Sequence, residues 1–197
     1  MVTKQNIDDK FFHWLLQIDE ATCQKVAAQG CAECRGRLHR ADYPRKPRGG
    51  LLELTGEVFS RRFSLCCGRE GCRRRATPPS VRFLGRRVYL GVVVLLASVM
   101  MCALAASVVV RETQIPGRTL GRWCHFWQCE FPLSPVYQEH RGRFLPPLSL
   151  ERMPASLVER FEVMGRDGQE VLMRTLCFLS PLSTKTVHGE ARYVRDP

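Results

Sequence analysis

The order of apolar and polar residues predicts a helix over residues 6–29. The residues that recur at helical spacing are Phe11, Phe12, Leu15, Leu16 and Ile18. Asn6 or Asp8 can cap the first turn, because a short polar side chain there accepts a hydrogen bond from a free backbone N–H. Gly30 predicts the end of this helix, since glycine readily adopts the left-handed conformation that follows a helix.

The pattern changes after Gly30. Residues 36–50 are rich in Pro, Gly and Arg and predict a loop. Residues 51–63 alternate between apolar and polar side chains enough to predict strands, with Gly56 at a turn. We therefore expect a small β domain over residues 31–87.

Residues 88–110 contain no charged side chain. A run of this length is long enough to cross a bilayer as one helix. It can also form the centre of a small bundle covered by the segments at 6–29 and 155–179. Basic residues flank the run on both sides, which leaves little of the charge asymmetry that orients a membrane helix. We favour buried helices and keep the single spanning helix as an alternative.

The rest of the chain is polar in character. Residues 118–128 predict a short helix rich in Arg and Trp, and residues 130–147 predict a Pro-rich loop. Two short amphipathic helices are expected at 156–163 and 169–179, and the tail after Pro181 is expected to be poorly ordered. The predicted domains are thus 1–30, 31–87, 88–128 and 129–197.

The net charge of the chain limits the classes of binding partner that we expect. Lys and Arg number 30 against 19 Asp and Glu, which gives a formal net charge of +11, and most of the basic residues are Arg. A planar guanidinium can bind a phosphate through two parallel hydrogen bonds, so an arginine-rich surface suits nucleic acid. Attraction to anionic lipid is the alternative explanation.

The chain has ten cysteines, and their context favours metal binding. Residues 1–10 carry two Asp and no apolar stretch of the secretory kind, so we expect a cytoplasmic protein with reduced thiols. Cysteine pairs in a reducing compartment are better explained as metal ligands than as disulfides.

Two cysteine turns separated by a strand-forming stretch are typical of a zinc ribbon. The predicted Zn²⁺ ligands are Cys31, Cys34, Cys67 and Cys72. Cys66 is an alternative to Cys67, and His39 is a possible substitute ligand, although we favour a place for it in the basic loop. The other cysteines are predicted to be small core residues; they are Cys23, Cys102, Cys124, Cys129 and Cys177. The expected fold is mostly α with a small β zinc ribbon.

Arginines and a lysine accompany the cysteine turns, with Tyr43 and Phe83 among them. The residues predicted to contact phosphates around the ribbon are Arg45, Lys46, Arg48, Arg73, Arg74, Arg75, Arg86 and Arg87, and Arg82 belongs to the same basic stretch. We expect this surface to follow the phosphate backbone without choosing a sequence.

The chain resembles transposase-like accessory proteins of bacterial insertion elements, which combine an N-terminal zinc ribbon with a helix-turn-helix. Four stretches carry the resemblance: 31–49 (CAECRGRLHRADYPRKPRG), 66–75 (CCGREGCRRR), 77–87 (TPPSVRFLGRR) and 118–123 (RTLGRW). The resemblance covers about residues 11–180 and implies a DNA-binding role beside a transposase or recombinase.

The same resemblance implies a helix-turn-helix over residues 88–128. It would consist of a buried helix at 90–103, a second helix at 105–112, a turn at 114–117 and a recognition helix at 118–127. Ile115 and Leu120 would face the core, while Arg118, Thr119 and Arg122 would project toward DNA. Val108, Val109 and Val110 form helices poorly, and residues 124–127 lack the further arginines expected of a recognition helix.

No catalytic pattern stands out. The five histidines are isolated, and the sequence has no His-x-His pair, Gly-rich phosphate loop or Ser-His-Asp grouping. We therefore expect a non-catalytic, zinc-dependent DNA-binding protein. The alternatives are a single-pass inner-membrane protein with a cytoplasmic zinc module, and a protein–protein adaptor.

Overall fold

The computed structural model describes residues 7–45, 47, 57–85 and 89–184. Within them the chain is mostly helical, with a small antiparallel β region. The predicted fold class is thus confirmed at this level. Several predictions fall outside the described residues: those on Lys46, Arg48, Arg86 and Arg87, on the strand at 51–56, and on the end of the tail.

Helix α1 spans Asp9–Gln29. It begins where the side chain of Asp8 accepts a hydrogen bond of 2.8 Å from the backbone N–H of Phe11. It ends at Gly30, whose φ of 75° lies in the region that favours glycine. The predicted helix is confirmed, with Asp8 rather than Asn6 as the cap.

The β region consists of five short strands: β1 (Leu38–Arg40), β2 (Tyr43–Pro44), β3 (Arg61–Arg62), β4 (Leu65–Cys67) and β5 (Arg75–Ala76). Strands β1, β4 and β5 form one antiparallel sheet in that order, and β2 pairs with β3. Residues 57–60 are helical, so the prediction of strands throughout 51–63 is wrong there. The turn buries Phe59 against the ring of Phe12, at 5.1 Å between centroids, and leaves Glu57 and Val58 exposed.

The apolar run at 88–110 is divided between two helices. Helix α2 spans Gly91–Met101 and α3 spans Ala106–Thr113, with a turn between them. No helix among the described residues is both long enough and apolar enough to span a bilayer. Helix α2 is largely buried and packs against α4 (Gly117–His125), so the buried-helix interpretation agrees with the structure for the first half of the run. It is wrong for the second half, because residues 102–107 are exposed and Val109 is the buried residue of α3. Whether these helices act as a helix-turn-helix stays a prediction.

The C-terminal part contains α5 (Pro135–His140), α6 (Ala155–Glu162) and α7 (Gly168–Leu179). The two amphipathic helices are therefore confirmed. The Pro-rich loop predicted at 130–147 is wrong in part, because it holds α5 and short 3₁₀ turns on either side. Phe131, Val136 and Tyr137 are buried, which draws this segment onto the core.

Buried apolar residues form two clusters. The larger joins α1 to the helices from α2 onward, and Phe11, Phe12 and Leu15 belong to it. The smaller surrounds the cysteine turns and consists of Cys23, Cys31, Leu38, Phe63, Leu65 and Cys67. Helix α1 contributes to both clusters, which places the cysteine turns against its C-terminal half.

A buried carboxylate fixes the segment that follows the sheet. Asp19 in α1 accepts hydrogen bonds from the Nε of Arg82 at 2.7 Å, from the hydroxyl of Ser80 at 2.5 Å and from the backbone N–H of Val81 at 2.7 Å. The guanidinium of Arg82 also donates to the carbonyl of Phe59 at 2.6 Å and lies over the ring of Phe63. These contacts hold α1, residues 80–82 and the segment 59–63 together.

Candidate metal centre

The first cysteine turn follows α1 directly. The N–H of Arg35 donates to the carbonyl of Cys31 at 2.8 Å, and the N–H of Cys31 donates to the carbonyl of Gly36 at 2.9 Å. Arg35 has φ of 57°, which lets the chain turn back so that Cys31 and Cys34 face the same side. A Cβ at Gly36 would lie 3.1 Å from the sulfur of Cys67 and 3.2 Å from that of Cys34, so the sulfurs crowd around this glycine.

The second turn lies between β4 and β5. The N–H of Cys67 donates to the carbonyl of Arg74 at 2.8 Å, and the N–H of Cys72 donates to the carbonyl of Arg69 at 3.1 Å. Gly71 and Arg73 have φ of 81° and 45°, so this longer turn also closes through left-handed residues. It brings Cys72 back beside Cys67 although four residues separate them.

The two turns bring four sulfurs together. The Sγ atoms of Cys31, Cys34, Cys67 and Cys72 all lie within 4.8 Å of one another. The Sγ of Cys34 is 3.5 Å from that of Cys67, and the Sγ of Cys31 is 3.7 Å from that of Cys72. These distances are far beyond a disulfide bond of about 2.05 Å. The four predicted cysteines are therefore close enough to hold one metal ion.

Without a cation, the thiols of the cluster share protons and shift the pKa values of Cys34, Cys67 and Cys72. The backbone N–H of Gly36 and the neighbouring thiols lower the pKa of Cys34 to about 7. The N–H of Arg69 acts in the same direction on Cys67, but burial and the three other thiols outweigh it and raise the pKa of Cys67 to about 12. The pKa of Cys72 is also raised, because the thiols of Cys34 and Cys31 and its burial outweigh the N–H of Arg74. A cation at the centre would remove this competition by neutralising several thiolates at once.

The remaining cysteines and His39 lie outside the cluster. Cys66 is directly opposite His39 in the sheet, and neither belongs to the four-sulfur group. Cys23 is buried as predicted, and Cys124 is half-buried. The prediction of core positions is wrong for Cys102, Cys129 and Cys177, which are exposed. Cys102 follows the last turn of α2, where its thiol donates to the carbonyl of Met153 instead of packing in the core.

Arginines surround the sulfur cluster. Arg73, Arg74 and Arg75 are exposed beside the second turn, as the sequence predicted. Sequence reasoning did not select three further exposed arginines, Arg35, Arg37 and Arg69. Their positions in the sequence, within or beside the cysteine turns, could have identified them, because the residues next to metal ligands in a tight turn lie on its surface.

Arg82 and Arg45 are less accessible than the arginines beside the cysteine turns. Arg82 is buried against Asp19, so its assignment to the phosphate-binding stretch is wrong. Arg45 is half-buried, donates to the carbonyl of Gly85 at 3.3 Å and lies over the ring of Phe83.

On α4, Arg118 and Arg122 are exposed, and an Nη of Arg122 donates to the hydroxyl of Thr119 at 3.3 Å. Ile115 and Leu120 are buried, as expected. Arg118 and Arg122 therefore lie on the side of α4 away from the core, and Thr119 is half-buried beside them. That geometry is compatible with a recognition helix and does not by itself assign one.

No protein-family model, no curated protein and no solved structure matches the chain.

Proposed function

We propose that this chain is a non-catalytic, zinc-dependent DNA-binding protein. The observation that carries the proposal is the group of four cysteine sulfurs within 4.8 Å of one another, held by two turns whose surfaces carry exposed arginines. The metal stiffens the β region, and the arginines bind phosphates.

Zinc is the metal that best suits the site. Zn–S bonds of about 2.3 Å in a tetrahedron place neighbouring sulfurs roughly 3.8 Å apart. The 3.5 Å and 3.7 Å separations are close to this edge. A full set of four thiolates leaves no open coordination position, which fits a structural ion and gives no site for a metal-bound water. Iron is the other metal that accepts four thiolates, so metal analysis has to distinguish the two.

Nucleic acid is the partner that best suits the surface. The net charge is +11, and six arginines are exposed on or beside the cysteine turns: Arg35, Arg37, Arg69, Arg73, Arg74 and Arg75. No ion pair joins any of these six to a carboxylate within the described residues. Exposed guanidiniums without a carboxylate partner are suited to bind successive phosphates.

Helix α4 supplies a second set of contacts in this proposal. Arg118, Thr119 and Arg122 would meet the bases or backbone of duplex DNA from its outer side. The resemblance to accessory proteins of insertion elements supports a role beside a transposase or recombinase.

A protein–protein adaptor is the second candidate, favoured by apolar side chains on the surface. Leu133, Leu145 and Val163 are 79%, 78% and 86% exposed. A site of this kind buries its apolar residues on binding and depends little on salt. The response to salt therefore separates the two candidates.

The test combines metal analysis with DNA binding of the purified full chain. We expect one zinc ion per chain, and affinity for duplex DNA whose logarithm falls linearly with the logarithm of salt concentration. Each phosphate contact contributes a slope of about −0.9, so three or more contacts give roughly −3 or steeper. Removing zinc with a chelator should weaken binding. A metal-free protein, or binding with a slope near zero, contradicts the proposal.

A further inference from the structure

The three-stranded sheet has one buried and one exposed face. Paired residues of antiparallel strands lie on the same face, and successive residues alternate. Leu38 pairs with Cys67, and both are buried against the smaller apolar cluster. His39, Cys66 and Arg75 are paired across the three strands and therefore form a row on the opposite side. We call this side the outer face.

The Nε2–Cδ2 edge of the His39 imidazole approaches the backbone at Gly68. A Cβ at Gly68 would be 2.5 Å from the Nε2 and 2.6 Å from the Cδ2 of His39. The ring can occupy this place because residue 68 has no side chain. His39 is exposed, so the side of its ring that faces away from the sheet is open to solvent.

Three arginines lie in or next to the strands of the outer face. The carbonyl of Arg37 accepts a hydrogen bond of 2.9 Å from the N–H of Gly68, and the carbonyl of Arg73 lies 3.6 Å from the thiol of Cys66. Arg75 is in the same row as His39, and its Nη1 donates to the carbonyl of Ala41 at 3.4 Å and to the hydroxyl of Ser64 at 3.5 Å. The side chains of Arg37, Arg73 and Arg75 are exposed, and the strands carry no carboxylate on this face. The acidic residue nearest to His39 in sequence is Asp42, whose carboxylate accepts hydrogen bonds from Arg40 and from the N–H of Ser64. Glu33 and Glu70 belong to the cysteine turns.

We propose that the outer face binds single-stranded nucleic acid, with a base stacked on His39 and the adjoining phosphates bound by Arg37, Arg73 and Arg75. This inference rests on the proposed nucleic-acid function and names the class of ligand for the sheet. An exposed ring can stack against a base only when that base is free of its own stack, as in a single strand. A duplex keeps its bases stacked and would offer the ring only an edge or a phosphate.

Two kinds of variant separate stacking from charge. His39→Ala removes the ring, and Gly68→Ala displaces it while leaving every charge in place. Each should weaken binding of a single-stranded oligonucleotide about fivefold, the lower end of the effect of losing one stacked base, without changing the salt slope. His39→Tyr keeps a ring and should retain most of the affinity. The triple variant R37Q/R73Q/R75Q should reduce the magnitude of the single-strand salt slope by about 2, since each contact contributes about 0.7.

Controls keep the result interpretable. Zinc content shows whether each variant retains the metal module. R141Q/R143Q is the control for loss of charge, because it removes two exposed arginines from a 3₁₀ turn outside the sheet. The pair R118Q/R122Q should weaken duplex binding and leave single-strand binding unchanged.

The inference is overturned if zinc-loaded His39→Ala and Gly68→Ala bind a single strand as well as the parent, or if the parent prefers the duplex of the same sequence. In either case the proposed function stands as long as duplex binding remains steeply salt-dependent. Absence of salt-dependent binding to both oligonucleotides overturns the inference and the proposed function together.

Discussion

Cys66 and Cys67 are adjacent in the sequence and have opposite places in the sheet, which makes them a matched pair for testing the metal site. The Sγ of Cys67 lies 3.5 Å from that of Cys34 within the four-sulfur group. The thiol of Cys66 is on the outer face, near the carbonyl of Arg73. Cys67→Ser should therefore release the metal, whereas Cys66→Ser should retain it.

The size of the effect follows from the ligand count. Loss of a hydrogen-bonding partner of a metal ligand typically costs about 10–100-fold in affinity. Cys67→Ser removes one of four thiolates and leaves a hydroxyl that does not ionise near neutral pH, so we expect at least a 100-fold loss, or about 2.8 kcal/mol. Burial of Cys67 also prevents solvent from replacing the missing ligand easily.

The assay is a competition between the protein and a chromogenic chelator, with metal content measured on the same samples. Co²⁺ substitution gives a second readout, because its visible spectrum reports tetrahedral thiolate coordination. The reasoning is refuted if Cys67→Ser keeps parental affinity, or if Cys66→Ser loses the metal to the same extent.

Three further predictions follow from the structure. Asp19→Asn should lower the free energy of unfolding by about 3–5 kcal/mol, because it leaves the buried Arg82 without its counter-charge. Glu159→Gln, which breaks an exposed pair, should lower it by about 0–1 kcal/mol. Urea unfolding compares the two variants, and equal effects would contradict the argument. Zinc affinity should fall as the pH is lowered from about pH 8 to about pH 5, and more steeply below the pKa of about 7 of Cys34. Protons compete with the metal at Cys67 and Cys72 over this whole range because their pKa values are raised, and below about pH 7 they compete at Cys34 as well. Chelator-monitored release measures the fall, and a flat profile would exclude thiolate ligation. Trp127→Ala should lower the free energy of unfolding by about 3–5 kcal/mol, and Trp127→Phe should lower it clearly less. The phenylalanine keeps an aromatic ring beside Phe131 and removes a buried N–H that has no acceptor among the described residues. Thermal unfolding of both variants checks the order.

Local signals predicted much of the fold. Helical spacing and a capping Asp located α1, and spacing with flanking glycines located α6 and α7. The turn at residues 102–105 that divides the apolar run was anticipated from the resemblance, because composition alone also allowed one long helix. The Pro-rich segment concealed α5, whose formation depends on Ser134 capping it and on Val136 and Tyr137 reaching the core.

The site was predictable where it depends on short turns. The spacing of Cys31 and Cys34 and the glycines after Cys67 indicated four converging thiols. The roles of the arginines were not predictable in the same way, because they depend on distant partners. Arg82 is buried by a carboxylate 63 residues earlier in the chain, and no local pattern distinguishes it from the exposed arginines nearby.

Helix α1 has a consequence for how metal occupancy is communicated through the molecule. Its first half packs in the larger cluster through Phe11 and Leu15, its second half packs against the cysteine turns through Cys23, and Asp19 lies between them. If the β region loosens when the metal is lost, the C-terminal end of α1 loses its packing while its N-terminal end stays packed among the helices. Hydrogen exchange in the last two turns of α1 should therefore rise before exchange in its first two turns, so that one helix reports the boundary between the two parts of the protein.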